Sequence, residues 1–373
     1  MADYKGNRHN ETFIYKRVSW GTWAEHEAYP FITSGSLELA ADSDLKVTGS
    51  FEFEGNKLPD TTDMMRVYYE FDDDAGEHVK NALATLFVSF ADVEHVDTLT
   101  GIKSKGSLDG SSVLKVLEHK IYGAPFTITA NTNAIYKAVT LIKECGLNVE
   151  YTPDVTILSA DHTFDSGSTY LEIINWLCET AGYTPAYPDP YGTVQLQPFT
   201  DTLNNTPDAI FTNDDESIMY PELNVNNDWS DTPNVVRLLY NTDKACISAE
   251  ARNESGSRAS LEARGGREQT YYEETSELPD DANRLTSLVD LAETKLRQLS
   301  CDVEYVTISH AYIPLSPYQS IQVNYSNMTW TGTLDTLDIT LEPATKTQSK
   351  IKRELYDNIV VTKSGEVLRS SDD

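Results

Sequence analysis

Basic residues are scarce in this chain: 29 Lys and Arg stand against 59 Asp and Glu, a formal net charge of −30 over 373 residues. Such a chain repels a phosphate backbone at long range, which argues against sequence-specific nucleic-acid binding. Cysteine is rarer still. Cys145, Cys178, Cys246 and Cys301 form no C-x-x-C pair, so free thiols are expected rather than a disulfide framework or a zinc ribbon. No run of eighteen apolar residues occurs and no charged-plus-apolar signal opens the sequence. The expectation is a soluble protein made in the cytoplasm, with no membrane insertion.

Catalytic signatures are missing as well. His26-Glu27 is followed by Tyr29 and Pro30 rather than x-x-His, so there is no zincin helix, and neither a Gly-rich phosphate loop with its lysine nor G-x-S-x-G is present. The seven histidines are scattered, and His162 between Asp161 and Asp165 comes nearest to a cluster. Asp72-Asp73-Asp74 and Asp214-Asp215-Glu216 lack the spacing of a calcium loop and read as solvated acidic turns. Trp20, Trp23, Tyr68, Tyr69, Tyr271, Tyr272 and Trp330 could form a sugar-binding surface, but cross-strand aromatic pairs are the first explanation for them. The sequence therefore predicts no catalytic residues, no cofactor, no metal and no enzyme activity.

What is present points to β structure. Hydrophobic content is 39% and tyrosine reaches 21 residues, while only three stretches carry a helical period. The length allows two or three domains, each with a core of its own. After a polar, flexible segment at 1–12, Leu37, Leu39, Leu45, Val47, Phe51 and Phe53 alternate about an Ala-Asp-Ser-Asp turn. Met65, Val67, Tyr69 and Phe71 then alternate with polar neighbours, and an apolar strand runs from Leu83 to Phe90. Val113, Leu114, Val116 and Leu117 end this region as a short helix or a last strand.

Two helices follow. The first places Ile135, Ala138, Val139, Ile142 and Cys145 on one stripe and stops at Gly146. The second opens with the capping-box spacing of Thr169 and Glu172, carries Leu171, Ile174, Leu177, Cys178 and Ala181, and stops at Gly182. A Pro-Asp-Pro-Tyr-Gly turn at 188–192 then joins short strands, giving an α+β module over 124–200. Beyond a loop-rich segment, strands begin near Val235. The run at 248–267 is small and polar and scores as a flexible loop. A third helix is expected over 282–299, with Asp280 or Asp281 as N-cap and a stripe of Leu285, Leu288, Ala292, Leu296 and Leu299. Strands at 303–310 and 320–325 come next, and Ile359-Val360-Val361 adds one more.

Several of these stretches together resemble the tail hub, or baseplate hub, proteins of tailed bacteriophages. The helix residues Thr169, Glu172, Ile173, Ile174 and Leu177, then Ala181-Gly182-Tyr183, Pro188, Asp189, Gly192, Gln197 and Pro198 match one family pattern. Leu58-Pro59-Asp60, Arg66 to Phe71 and Thr85 to Ser89 echo the first tube-like domain. Ala251, Asn253, Ser257, Ser260, Gly266 and Arg267 echo the second, followed by His310, Pro314, Leu315, Tyr318, Ile321 and Val323. Gln319 stands where the family has an acidic residue.

The resemblance implies a mainly β, α+β chain with two tail-tube-like β-barrels, at 13–123 and 201–345, flanking the module at 124–200, and a tail at 346–373. It further implies a structural virion protein: a homotrimeric ring at the distal end of the tail tube, lining the channel for DNA ejection and assembled in the host cytoplasm. Its partners would be the tail tube or distal tail protein above, a tip, spike or fibre protein below, and the tape measure protein in the lumen. Wall-degrading activity would belong to another chain. The alternative is a tail protein that binds or degrades cell-wall glycan.

Overall fold

The structure is a computed structural model that describes residues 8–29, 31–98, 101–199, 206–214, 218–226, 232–241, 245–275, 283–300, 302–355 and 359–370. It divides into two compact units, 1–223 with 307–351, and 224–306 with 352–373. The first opens with seven strands: β1 (His9–Val18), β2 (Glu25–Ala28), β3 (Ile32–Ala40), β4 (Val47–Gly55), β5 (Met64–Asp72), β6 (His78–Thr98) and β7 (Gly101–Ser112). They pair antiparallel in the order β3-β4-β7-β6-β5-β1-β2. Alternation in β4 sends Phe51 and Phe53 into the core, whereas β5 is buried on both faces from Met64 to Phe71.

Two expectations change here. The segment at 1–12 was expected to be flexible, yet β1 begins at His9, and the Glu11 carboxylate accepts the Ala344 N–H at 2.8 Å; residues 1–7 lie outside the described residues. The strand expected at Leu83 to Phe90 runs for 21 residues from His78 to Thr98; past Phe90 both faces are solvated, so no apolar alternation marks that part.

A short helix, α1 (Lys115–His119), resolves the helix-or-strand ambiguity after β7. The module then runs β8 (Phe126–Ile128), α2 (Ala134–Glu144), β9 (Val149–Tyr151), β10 (His162–Phe164), α3 (Tyr170–Thr180), β11 (Tyr187–Pro188) and β12 (Val194–Leu196). Asn133 caps α2 through the Tyr136 N–H, and Thr169 and Glu172 form the capping box of α3 at 3.1 and 2.8 Å. Gly146 and Gly182 take positive φ just beyond the helix ends, which other residues enter only with strain. Strand β12 pairs parallel with β9 and antiparallel with β11. The helices bury Ile135, Ile142, Ile174 and Leu177 in one cluster with Val18 and Met64 of the first sheet, so the module is packed onto that sheet.

The remaining elements are β13 (Ala209–Thr212), β14 (Met219–Asn226), β15 (Val235–Asn241), β16 (Ala245–Ser255), β17 (Thr270–Thr275), α4 (Arg284–Leu299), β18 (Asp302–Ala311), β19 (Ser320–Tyr325), β20 (Met328–Thr340), β21 (Lys346–Leu355) and β22 (Val360–Ser370). Strand β20 pairs antiparallel with β3, which extends the first sheet to thirteen strands with contributions from β13, β14, β18, β19 and β21. Late strands thus complete the sheet that early strands begin, so the residues expected as a second barrel are shared between the two units. The segment expected as a tail at 346–373 supplies two strands. Its pattern was hard to read because β21 turns Thr347 and Ser349, both fully buried, inward with Ile351. Ser349 Oγ lies 2.7 Å from His310 Nε2, and His310 Nδ1 lies 2.8 Å from the Ala311 carbonyl oxygen.

The second unit is a four-stranded sheet, β17-β15-β16-β22, covered on one face by α4. Leu288, Ala292 and Leu296 meet Val236, Leu238, Ile247 and Ala249, as the predicted stripe requires. Helix α4 starts at Arg284 with Asn283 at its cap; Asp280, Asp281 and Cys301 lie outside the described residues. The run at 248–267 is not a loose loop. Strand β16 takes its first part, and the rest is pinned by two fully buried asparagines. Asn234 donates to the carbonyls of Ala259 (3.1 Å) and Arg267 (2.9 Å) and accepts the Gln269 N–H at 2.8 Å. Asn253 donates to Ser257 Oγ at 2.9 Å.

Removing the Asn234 amide leaves one buried and two part-buried backbone groups without it, so Asn234→Ala is expected to cost about 2 kcal/mol and to speed tryptic cleavage after Arg258, Arg264 and Arg267. Limited proteolysis with mass analysis checks this, and unchanged cleavage rates would refute the pinning role. Burial lowers the His310 pKa from 6.5 to about 4. Between those values the unfolded chain takes up a proton that the folded chain refuses. His310 therefore favours the fold fully above pH 6.5, and about 3 kcal/mol of that contribution is lost as pH falls to 4. Denaturant midpoints of wild type and His310→Gln over that window should diverge, with the variant showing the flatter pH dependence.

Candidate functional site

The groups that sequence singled out for chemistry are tied into local structure. His162 stacks on Trp176 with centroids 4.0 Å apart and meets the edge of Phe164, while Asp161 accepts the Ala130 N–H at 2.7 Å. Asp73 closes the β5–β6 turn by accepting the N–H groups of Ala75 and Glu77, both at 2.9 Å. Asp72 lies 3.1 Å from His78 Nδ1 and accepts from Asn10 Nδ2. Asp214 is described, whereas Asp215 and Glu216 lie outside the described residues. Among the described residues no three His, Cys, Asp or Glu side chains come together as a metal site. No described helix is long and apolar enough to cross a membrane.

His26 and Glu27 line a cleft of about 770 Å³ with Arg17, Tyr29, Leu58 and Asp60. Its polar floor is engaged: Arg17 bridges Asp60 and Asp63 at 3.2 and 3.3 Å, and the Tyr29 hydroxyl donates to the Asp60 carbonyl. The aromatic candidates do not gather on one surface. Tyr68, Tyr69 and Trp330 are buried, Trp20 packs on Trp23 and Phe87, and Tyr271 belongs to the core under α4. Of that set, Tyr272 at 58% and Trp20 at 38% are the exposed members.

The most constrained polar centre lies where the 188–192 turn meets the first sheet. Arg66, 6% exposed, donates from Nε to Thr85 Oγ (2.8 Å), from Nη1 to Glu25 (2.5 Å) and from Nη2 to the Tyr191 carbonyl (3.0 Å). Thr85 Oγ donates onward to the Pro190 carbonyl at 2.8 Å. Partial burial opposes the charge on Glu25, but bonds from the Tyr68 hydroxyl and Arg66 prevail and hold its carboxyl below the ordinary value. Within the turn, Asp189 accepts the N–H groups of Tyr191 and Thr193, and burial raises its pKa. Sequence reading found the turn but missed Arg66 as its receptor. The one signal was an arginine between Met65 and Val67 in the apolar first half of β5.

Two further features stand apart from that centre. Beyond Phe87, which pairs with Met64, no described strand flanks β6 on its β5 side, but β4 still backs β7 from Ser111 to Ser104, so two strands stand alone only at 96–98 and 101–103. On the module, Phe126, Tyr122 and Tyr170 stack at 4.1 and 4.6 Å with interplanar angles of 14°, with Lys137 and Lys120 over the outer rings.

Arg66→Met strands the Tyr191 carbonyl and Thr85, so a loss of about 3 kcal/mol is expected from denaturant titration. Glu25→Gln should cost less, about 1 kcal/mol, because Glu25 is partly solvated. Equal costs for the two variants would show that the turn carbonyls do not matter.

No family model matches the sequence, and no curated protein matches it either. Solved structures do match. A tail protein from Neisseria meningitidis MC58 superposes with a TM-score of 0.63 at 12% identity, covering 92% of this chain and 97% of that one. The 43 kDa tail protein of prophage MuSo2 from Shewanella oneidensis gives 0.62 at 12% identity, over 93% and 98%. A chain of the Francisella PdpA-VgrG complex gives 0.51 at 8% identity, over 92% of this chain and 52% of that one. The mainly β architecture with its small α+β module is therefore the fold of phage tail proteins.

Proposed function

We propose that this chain is a structural tail protein of a phage or phage-derived particle, and that three copies form a hub ring at the distal end of the tail tube. The observation that carries this reading is the fold match along nearly the whole length of both this chain and two tail proteins. In this reading each copy presents two tube-like β parts, within 13–123 and 201–345. Three copies then offer a pseudo-six-fold face to a hexameric tube and a three-fold platform to the tip below. The chain acts by assembly rather than by turnover. A net charge of −30 suits a channel wall that must not retain DNA, since like charge lowers residence of the phosphate backbone. Its contacts are the tail tube or distal tail protein, a tip, spike or fibre protein and the tape measure protein, in a particle assembled in the host cytoplasm.

Light scattering over a range of concentrations, followed by electron microscopy alone and with the tail tube protein of the same particle, tests the reading. A three-chain ring with a hole wide enough for duplex DNA, seated on the tube end, is the expected result. A stable dimer without a channel, or a chain that ignores the tube, would overturn it.

A further inference from the structure

We propose that a pocket of the first unit, beside the start of β19, is a binding site for a neutral saccharide. The proposal adds a ligand to the chain and does not depend on the ring reading.

The pocket holds about 330 Å³, at the lower end of ordinary small-molecule sites, and Tyr187, Phe199, Asp208, Tyr318 and Gln319 are among its walls. Two of its polar side chains are fixed at one end and open at the other. Asp208 accepts the Ser320 N–H on Oδ2 at 2.8 Å, while Oδ1 has no hydrogen bond or ion pair among the described residues. Gln319 accepts the Ser316 N–H on Oε1 at 2.8 Å. That bond fixes which way the amide points, so its NH2 is the group left over, and it too has no partner among the described residues. One short segment, 316–320, therefore holds an acceptor and a donor in place before any ligand arrives. A hydroxyl both donates and accepts, so neighbouring hydroxyls of a sugar satisfy the pair.

Aromatic surface completes the site. Phe199 is 63% exposed and has no ring contact among the described residues, and its N–H is tied to the Gly182 carbonyl at 2.9 Å. Such an open face suits the C–H side of a pyranose, whose slightly positive hydrogens meet the negative face of the ring. Tyr187 and Tyr318 meet edge to face at 5.7 Å. Tyr318 is held at φ 66°, which a bulky residue adopts only with strain, by a bond from its hydroxyl to the Ala41 carbonyl at 2.9 Å. Strain retained in a pocket wall points to a surface shaped for a ligand.

Other classes of ligand fit less well. No Arg, Lys or His lines the pocket and Asp208 repels anions, which disfavours phosphates and acidic sugars. A cation would meet Asp208 but leave the Gln319 NH2 unmatched, and the Lys46 ammonium already lies 5.8 Å from the centre of the Tyr318 ring. An extended peptide finds no ladder to join, because β19 is paired with β13 on one side and β20 on the other.

Saturation-transfer NMR titration of the full chain with the methyl glycosides of glucose, galactose and N-acetylglucosamine tests the assignment. At least one is expected to bind with a dissociation constant of about 1 mM, the strength that a few hydrogen bonds and one stacked ring supply. Asp208→Asn and Gln319→Glu each keep an acceptor for the N–H they hold but reverse the outward group, and each is expected to weaken binding about tenfold. Phe199→Ala is expected to do the same, and thermal unfolding confirms that the variants are folded. Glucuronate, choline and a blocked dialanine serve as anionic, cationic and peptide probes, each expected to bind at least about tenfold more weakly than the best glycoside. No glycoside binding at about 10 mM, binding unchanged in any of the three variants, or a probe that binds as tightly as the best glycoside would overturn the site. None of these results bears on whether three chains form a ring, so the two ideas fail separately.

Discussion

One buried guanidinium holds the largest unit together in a defined geometry. The apolar cluster of α2, α3, Val18 and Met64 would bury similar area over a range of small rotations, because hydrophobic contact has no direction. Arg66 supplies direction. Its fork meets Thr85, Glu25 and the Tyr191 carbonyl at once, and Thr85 passes the contact on to Pro190. Hydrogen bonds from a charged, rigid donor are strong and angle-dependent, so the 188–192 turn has one seat on the sheet. The position of the β9-β12-β11 strands, and with them the two helices, follows from that seat.

The same logic recurs where polar side chains occupy core positions. His310 is kept neutral between Ser349 and its neighbour's carbonyl, with the ring of Phe211 4.5 Å away. Asn234 plays the equivalent part in the second unit, giving a polar segment the backbone partners that no regular strand supplies there, and Asn253 adds a bond to Ser257 Oγ. His310 and Asn234 exchange water for protein partners at each polar side-chain atom, which is the condition under which a buried polar group can be tolerated. The fold relies on a few such satisfied centres in addition to its apolar clusters.

An excess of acid shapes what the surface can do. Several described carboxylates close turns or meet a nearby base: Asp73 and Asp189 hold turn N–H groups, and Glu250 and Glu268 meet Arg237 and Arg252 on the open face of the second sheet.

Local signals were legible wherever one residue governs its own neighbourhood. The Thr169–Glu172 capping box, the glycine stops at Gly146 and Gly182, the 188–192 turn and the stripes of α2, α3 and α4 could all be read directly, because caps, φ preference and helical period depend on residues a few positions apart. Tertiary structure alone decided the pairing of β20 with β3, the entry of β21 into the sheet, the length of β6 and the ordering of the segment after β16. In each, the partner lies far along the chain or the inward side chains are Thr, Ser and Asn, which carry no hydrophobic signal. Hydrophobic periodicity cannot report such a match; it exists only once His310 faces Ser349, Asn234 reaches Arg267 and Arg66 finds the turn.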